Sequence, residues 1–231
     1  MRSTQSLYAD EIALIPKELL VATDAEKVLK DDSEFTKFSW DNLKNIIANN
    51  QLELLSRTPS DLRKYLRWKG GIVKDYQSIA NYVLTERLKW GPDPTLAKAK
   101  GTKLFELKDD YKILLNDFPY GFEDGIVHVV VWTKIAIPKA ELGDVSSEGR
   151  EALQTFSDTK FRAQLNMSPD QVLWFKNWAA LQSIPEVDHF HVLLNKPPAS
   201  GQGVAKLLEL LSEDVDVEAK LAAVDSRFRI E

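Results

Sequence analysis

Three histidines occur in 231 residues, and two of them, His189 and His191, stand one residue apart in the run DHFHVLL. An imidazole can attack a phosphorus atom, relay a proton or hold a metal, so their placement decides which chemistry is open. In an extended strand, side chains alternate between faces. His189 and His191 then share one side, their Cβ atoms ~7 Å apart, while Phe190 and Val192 take the other. The third, His128, lies in GIVHVVVWTKI. If the two runs are neighbouring strands, all three imidazoles converge. Such a group suits a phosphate ligand or, with an acidic fourth partner, a catalytic zinc ion. A strand with two solvent-facing polar positions gives the same pattern with no chemistry at all.

Two further clusters carry polar groups in apolar surroundings. In DYKILLNDFPYGFEDG, Asn116 and Asp117 precede Pro119 and Gly121. That is ordinary turn chemistry between two strands, or a strand end presenting Asn and Asp to a ligand such as a sugar hydroxyl. In WFKNWAALQS, Asn177, Gln182 and Ser183 stand among aromatic and aliphatic residues. A buried amide needs a partner, supplied either by the local loop or by a bound phosphate. The basic and aromatic residues of RKYLRWK fit the solvated face of a helix better than a nucleic-acid surface. GQG at Gly201–Gly203 is too short to define an anion site.

The elements that must position these groups follow from pattern and period. Hydrophobic residues make up 44% and charged residues 28%, the balance of a globular chain. The net charge of −5 argues against nucleic acid or anionic lipid as a partner. With no cysteine, disulfides, thiol nucleophiles and Cys-ligated metals are excluded. No apolar run reaches the ~20 residues of a membrane span. The first twenty residues lack the apolar core of a signal peptide, so a cytoplasmic location is expected, with diffusion into the nucleus open to it. Residues 1–37 read as a variable, partly ordered lead-in. Ser39 caps a helix carrying Leu43, Ile46 and Ile47, and Thr58 with Pro59 opens a second that Gly70-Gly71 is expected to end. DYQSIANYVLTERLKW continues as helix, and GPDPTLAKAKG is a loop. YKILL, GIVHVVVWTKI and DHFHVLL are strands. SPDQVLWF reads equally as a helix start or a buried strand. SSEGREALQTFSDTKFRAQL and the segment from GVAKLLELL onward are helical.

The blocks FSWDNLKNIIANNQLELLSRTPSDLRKYLRWK, DYKILLNDFPYGFEDGIVHVVVWTK and LWFKNWAALQSIPEVDHFHVLL resemble the N-acetylglucosamine-induced protein family, largely fungal, over roughly residues 38–196. That resemblance implies a link to amino-sugar response and no settled biochemical activity. A more distant resemblance is to the histidine-triad nucleotide hydrolases and transferases. The order LLNDFPYG, GIVHVVVWTK, Asn177, Gln182-Ser183 and HFHVLL is similar to theirs. It implies a His nucleophile attacking the α-phosphate of a nucleotide. In one register His189 takes the nucleophile's place, His191 the last triad position, and Val187 the first, where its side chain cannot hydrogen-bond. A register two residues on makes His191 the nucleophile and loses the last position to Leu193. Asn116 and Asp117 would take the ribose-side turn, Asn177, Gln182 and Ser183 the phosphate side, and His128 the pocket wall.

The expected architecture is α+β: an antiparallel, histidine-triad-like sheet wrapped by N-terminal and C-terminal helices. Residues 38–231 form a single domain, with a helical part over 38–90, the sheet part over 104–196 and a helical tail over 197–231. The expected activity is hydrolysis or transfer at a nucleotide or sugar-nucleotide phosphoester. A non-catalytic regulatory protein of amino-sugar response and a His-ligated metal protein are the other readings. No cofactor, nucleic-acid partner or membrane is expected, and a homodimer is possible. A pocket holding both histidines beside the Asn116-Asp117 turn would favour a nucleotide site. Three ring nitrogens within ~2.1 Å of one point would favour metal.

Overall fold

The computed structural model describes residues 8–92, 97–141 and 144–228. Four strands, β1 (Tyr111–Leu115), β2 (Ile126–Thr133), β3 (Val172–Phe175) and β4 (His189–Asn195), form one antiparallel sheet in the order β1-β2-β4-β3. The class is α+β, as the change of period along the chain predicts. β2 is buried at all eight positions and β4 at six of seven. Strands covered on both faces lose the apolar/polar alternation and read as continuous apolar runs, which is why both are conspicuous in the sequence.

Period-two alternation sorts the sheet into two faces. Ile113, Leu115, Val127, Val129, Val131, Phe190, Val192 and Leu194 point to one side. There they meet helices α6 (Ser147–Ser157), α7 (Gly201–Leu210) and α8 (Val217–Val224) through Leu153, Phe156, Leu207 and Leu221. The opposite face carries Leu114, Val130, Trp132, His189, His191 and Leu193. Helix α3 (Trp40–Ala48) covers one half of it through Leu43 and Ile46, against Phe175 and Leu193. Helices α4 (Pro59–Tyr76) and α5 (Ile79–Tyr82) cover the other half, with Ile79, Val83 and Leu84 against Leu114, Val130 and Trp132. Two short helices of the lead-in, α1 (Ala9–Ala13) and α2 (Ala22–Lys27), accompany Ile15 and Val28, which pack on Leu62 and Leu66 of α4.

The helix starts follow their capping signals. Ser39 and Thr58 accept hydrogen bonds from the backbone N–H groups of Asn42 and Asp61, and Pro59 occupies the first turn of α4. The expected end of α4 is corrected. The helix runs through Gly70-Gly71 to Tyr76 and stops at Gln77, whose φ is 67°. Gly70 is there for close packing, since a Cβ on it would lie 2.5 Å from Cγ of Pro16. In SPDQVLWF the strand prevails, preceded by a short 3₁₀ turn at Pro169–Gln171. The C-terminal helical segment divides into α7 and α8 around a turn holding the buried Asp214. The expected loop GPDPTLAKAKG lies partly outside the described residues.

Candidate functional site

Pairing of β2 with β4 sets Val130 opposite His191 and Trp132 opposite His189, while His128 lies opposite Leu193. All three histidines therefore share one face, and His128 is the diagonal neighbour of His191. Nε2 of His128 is 3.0 Å from Nδ1 of His191, so one of these two nitrogens carries the proton between them. Nε2 of His191 lies 3.4 Å from the side-chain nitrogen of Asn177, and the His191 ring stacks on Phe175 with centroids 4.7 Å apart. Both nitrogens of His191 are thus engaged.

His189 is held differently. Its Nδ1 is 2.7 Å from the carbonyl oxygen of Val187. A carbonyl can only accept, so the proton sits on Nδ1 and Nε2 keeps its lone pair with no protein partner among the described residues. The ring lies against Trp132, centroids 4.4 Å apart. The apolar side chain of Val187 therefore does not leave the imidazole unoriented, because the backbone of the same residue supplies the acceptor. Asp188 points to the other side. There its carboxylate pairs with Lys176 at 3.0 Å and accepts from the backbone N–H of Ile137.

His189 and His191 line one pocket of about 110 Å³ together with Asn116, Asp117, Asn177 and Ser183. The pocket thus holds both histidines beside the Asn116-Asp117 turn. His128 is buried behind His191 and does not line it. Gln182 is also set back, donating from its side chain to the carbonyl oxygen of Asn177 at 2.6 Å. Asn116 folds its own turn by accepting from the N–H of Phe118 at 2.9 Å, and its side-chain nitrogen rests 3.4 Å from the His128 ring nitrogens. Asp117 faces the pocket with its carboxylate already committed, to Arg87 through two contacts of 2.8 and 3.0 Å and to Lys220 at 2.7 Å.

The least favoured of the three readings, a metal held by the three histidines, gains no support from the geometry. The ring nitrogens of His128 and His191 face each other as hydrogen-bond partners, and Nδ1 of His189 is spent on a carbonyl, so no three lone pairs meet at a point. Among the described residues, no cluster of three or more His, Asp or Glu side chains is arranged to hold an ion.

Residues that local sequence patterns left unmarked complete the walls. Arg57 stands directly before the cap of α4, Tyr120 in the β1–β2 connection, and Arg87 at the end of a wide π turn, Val83–Arg87, that continues α5. The π turn sets both Val83 and Arg87 on the pocket wall. Trp132 was within reach of the alternation argument, being two residues beyond Val130 and four beyond His128. Nothing local marks Arg57 or Arg87.

Burial governs the electrostatics. It pulls His189 down to about 4 and His128 to about 3, the latter also under the positive charge of Arg57. His191 is held well below the usual histidine range by burial and by His128 and His189 beside it. All three imidazoles are neutral near pH 7. A neutral imidazole with its Nδ1 proton anchored and its Nε2 lone pair free is the form that acts as a nucleophile or base.

A family model described as "Protein of unknown function (DUF3605)" matches residues 39–195. N-acetylglucosamine-induced protein 1 of Candida albicans is 32% identical over 173 residues, 68% of this chain and 68% of that protein. The uncharacterized protein YPL067C of Saccharomyces cerevisiae is 31% identical over 180 residues, 74% of this chain and 86% of that protein. The crystal structure of HTC1 superposes with a TM-score of 0.58 at 30% identity, covering 76% of this chain and 96% of HTC1.

Proposed function

The chain belongs to the DUF3605 family, and from that premise we propose that it is a histidine-dependent phosphoester hydrolase or transferase acting on a nucleotide or sugar nucleotide. The observation that carries this reading is the 2.7 Å contact between Nδ1 of His189 and the carbonyl of Val187, which leaves Nε2 as a free lone pair in a pocket. Between the two registers, this favours His189 as nucleophile, because both nitrogens of His191 already have partners. In the reaction, the Nε2 lone pair forms an N–P bond while the bond from phosphorus to the leaving oxygen breaks. The leaving oxygen keeps that electron pair and takes a proton from solvent water, which is returned when the second nucleophile gives up its own. Water, or an acceptor hydroxyl, then displaces the imidazole and regenerates it. Burial assists by keeping His189 unprotonated, and Ser183 is a neutral hydroxyl on the same wall available to donate to the phosphoryl oxygens.

The second reading, a non-catalytic protein of amino-sugar response, is favoured by one departure. The first triad position is the apolar Val187, buried with Ile184 in the cluster under α5. The name of the Candida relative, an N-acetylglucosamine-induced protein, is consistent with it.

One experiment separates the two. Purified protein is incubated with a panel of nucleotides and sugar nucleotides, products are quantified, and the intact mass is read under conditions that preserve a phosphohistidine-type bond. Turnover, with a covalent adduct mapping to His189, is the expected result. His189→Ala should lower kcat by about 10³-fold or more while leaving the melting temperature near that of the parent. Ligand-induced thermal stabilisation without products would leave the regulatory reading.

A further inference from the structure

Arg57 is a charged pocket residue that the nucleophilic scheme does not use. Its Nε donates to the carbonyl oxygen of Phe118 at 3.0 Å, which fixes the plane of the guanidinium. The guanidinium carbon stands 4.1 Å from the centre of the Tyr65 ring and 5.5 Å from that of Tyr120. Among the described residues it makes no ion pair, and its two terminal nitrogens have no protein acceptor. The other guanidinium on the wall, Arg87, is neutralised by Asp117 and Asp214. Arg57 is thus a half-buried cation that is rigidly placed and uncompensated. A planar fork of this kind matches two oxygens of a phosphoryl group.

A second observation in the same pocket points to a polar ligand. Asn177 is buried, and its side-chain oxygen has no hydrogen-bond donor. Its side-chain nitrogen reaches the hydroxyl of Tyr120 at 3.3 Å, the ring over which Arg57 lies. A buried acceptor left without a partner costs about 1–3 kcal/mol, a cost that a bound ligand carrying a donor would remove. The pocket therefore offers a cation and an acceptor linked through one tyrosine.

We infer that Arg57 is the residue that makes this pocket selective for phosphorylated ligands, its terminal nitrogens taking the phosphoryl oxygens. The inference locates its ligand in the pocket of the proposed reaction, yet it stands on different atoms from the nucleophile and can fail separately.

The test is calorimetric titration of the full chain with inorganic phosphate and adenosine 5′-monophosphate, with adenosine as the uncharged control. The variants are Arg57→Gln, Arg57→Lys and His189→Ala, with the melting temperature of each recorded without ligand. Arg57→Gln should weaken binding of the two phosphates by about 10- to 100-fold, the range expected for losing hydrogen bonds to a charged group, and leave adenosine unchanged. Arg57→Lys keeps the charge and stem but loses the fork, so it should recover only part of the affinity. It still reads the inference if the Gln variant proves unstable. Retained phosphate binding in His189→Ala with turnover gone fits both proposals. Phosphate binding that depends on Arg57 in a protein that turns nothing over leaves this inference standing and removes the nucleophile. No phosphate binding by the parent protein, or equal binding by parent and Arg57→Gln, overturns it whatever the state of His189.

Discussion

At the level of single residues, the site is built from groups that burial keeps uncharged. His128, His189 and His191 are each neutral in the fold at a pH where they would be protonated in the unfolded chain. Their folded values are depressed, so the stability they contribute is complete above the ordinary value of about 6.5 and is lost as pH falls through the window down to about 4 for His189 and 3 for His128. While the unfolded state alone binds the proton, each costs about 1.4 kcal/mol per pH unit. Urea unfolding followed from about pH 7 to about pH 4.5, above most carboxylate titrations, should show this slope, and His128→Gln should shorten it. An unchanged slope in that variant would mean that His128 is already solvated in the native state. Asn177 makes the opposite kind of prediction. Replacing it by Leu removes a buried, unpartnered oxygen but also the amide nitrogen that engages Nε2 of His191 and the Tyr120 hydroxyl. The two effects, each about 1 kcal/mol, should nearly cancel in stability, while affinity for ligands that carry a hydrogen-bond donor falls. A loss of stability with unchanged binding would show its amide to be a structural brace.

Elements are where sequence and fold part company most instructively. The two adjacent glycines of α4 stand in different surroundings. A Cβ on Gly70 would meet Cγ of Pro16 at 2.5 Å, whereas one on Gly71 would meet nothing within 4 Å. Gly71→Ala should therefore stabilise the helix by about 0.5–1 kcal/mol, through the lower entropy of the unfolded chain. Gly70→Ala should destabilise by about 1–3 kcal/mol through overpacking against the lead-in. Equal shifts in thermal unfolding would sink the claim that the lead-in is seated on α4. The start of this helix was legible because Thr58 and Pro59 are local signals, while its end was not, because Gly70 answers to Pro16, more than fifty residues away. The strands were legible as apolar runs, and the shared face of His189 and His191 as a matter of period. The orientation of His189 was not, since it depends on a backbone carbonyl, which every residue possesses and no sequence pattern marks. Arg57 was missed for a third reason: its role depends on where α4 lies over the sheet, a tertiary fact.

Across the whole molecule, one buried ion network joins three distant parts of the chain to the pocket wall. The carboxylate of Asp214, fully buried, accepts from Arg87 at 2.8 Å, Lys220 at 2.9 Å and the backbone N–H of Leu115 at 2.6 Å. Arg87 and Lys220 both reach Asp117 as well. The π turn after α5, the end of β1 and the turn between α7 and α8 are thereby tied at one point, and Arg87 and Asp117 are also pocket residues. Removing one member of a buried charge group costs far more than removing a partly exposed one, because the remaining charge is left without compensation in a poorly solvated place. Asp214→Ala should accordingly cost about 3–5 kcal/mol. Lys220→Met, whose side chain is 27% exposed, should cost about 1 kcal/mol or less, because Asp214 and Asp117 keep Arg87. The two variants should also differ in function. Asp214→Ala frees Arg87 to shift on the pocket wall and should change ligand affinity along with stability, whereas Lys220→Met should leave affinity near that of the parent. Denaturant unfolding and calorimetry on the same samples read both quantities. Equal stability losses in the two variants would show that Asp214 is compensated from elsewhere and that the C-terminal helices brace the pocket through their apolar contacts alone.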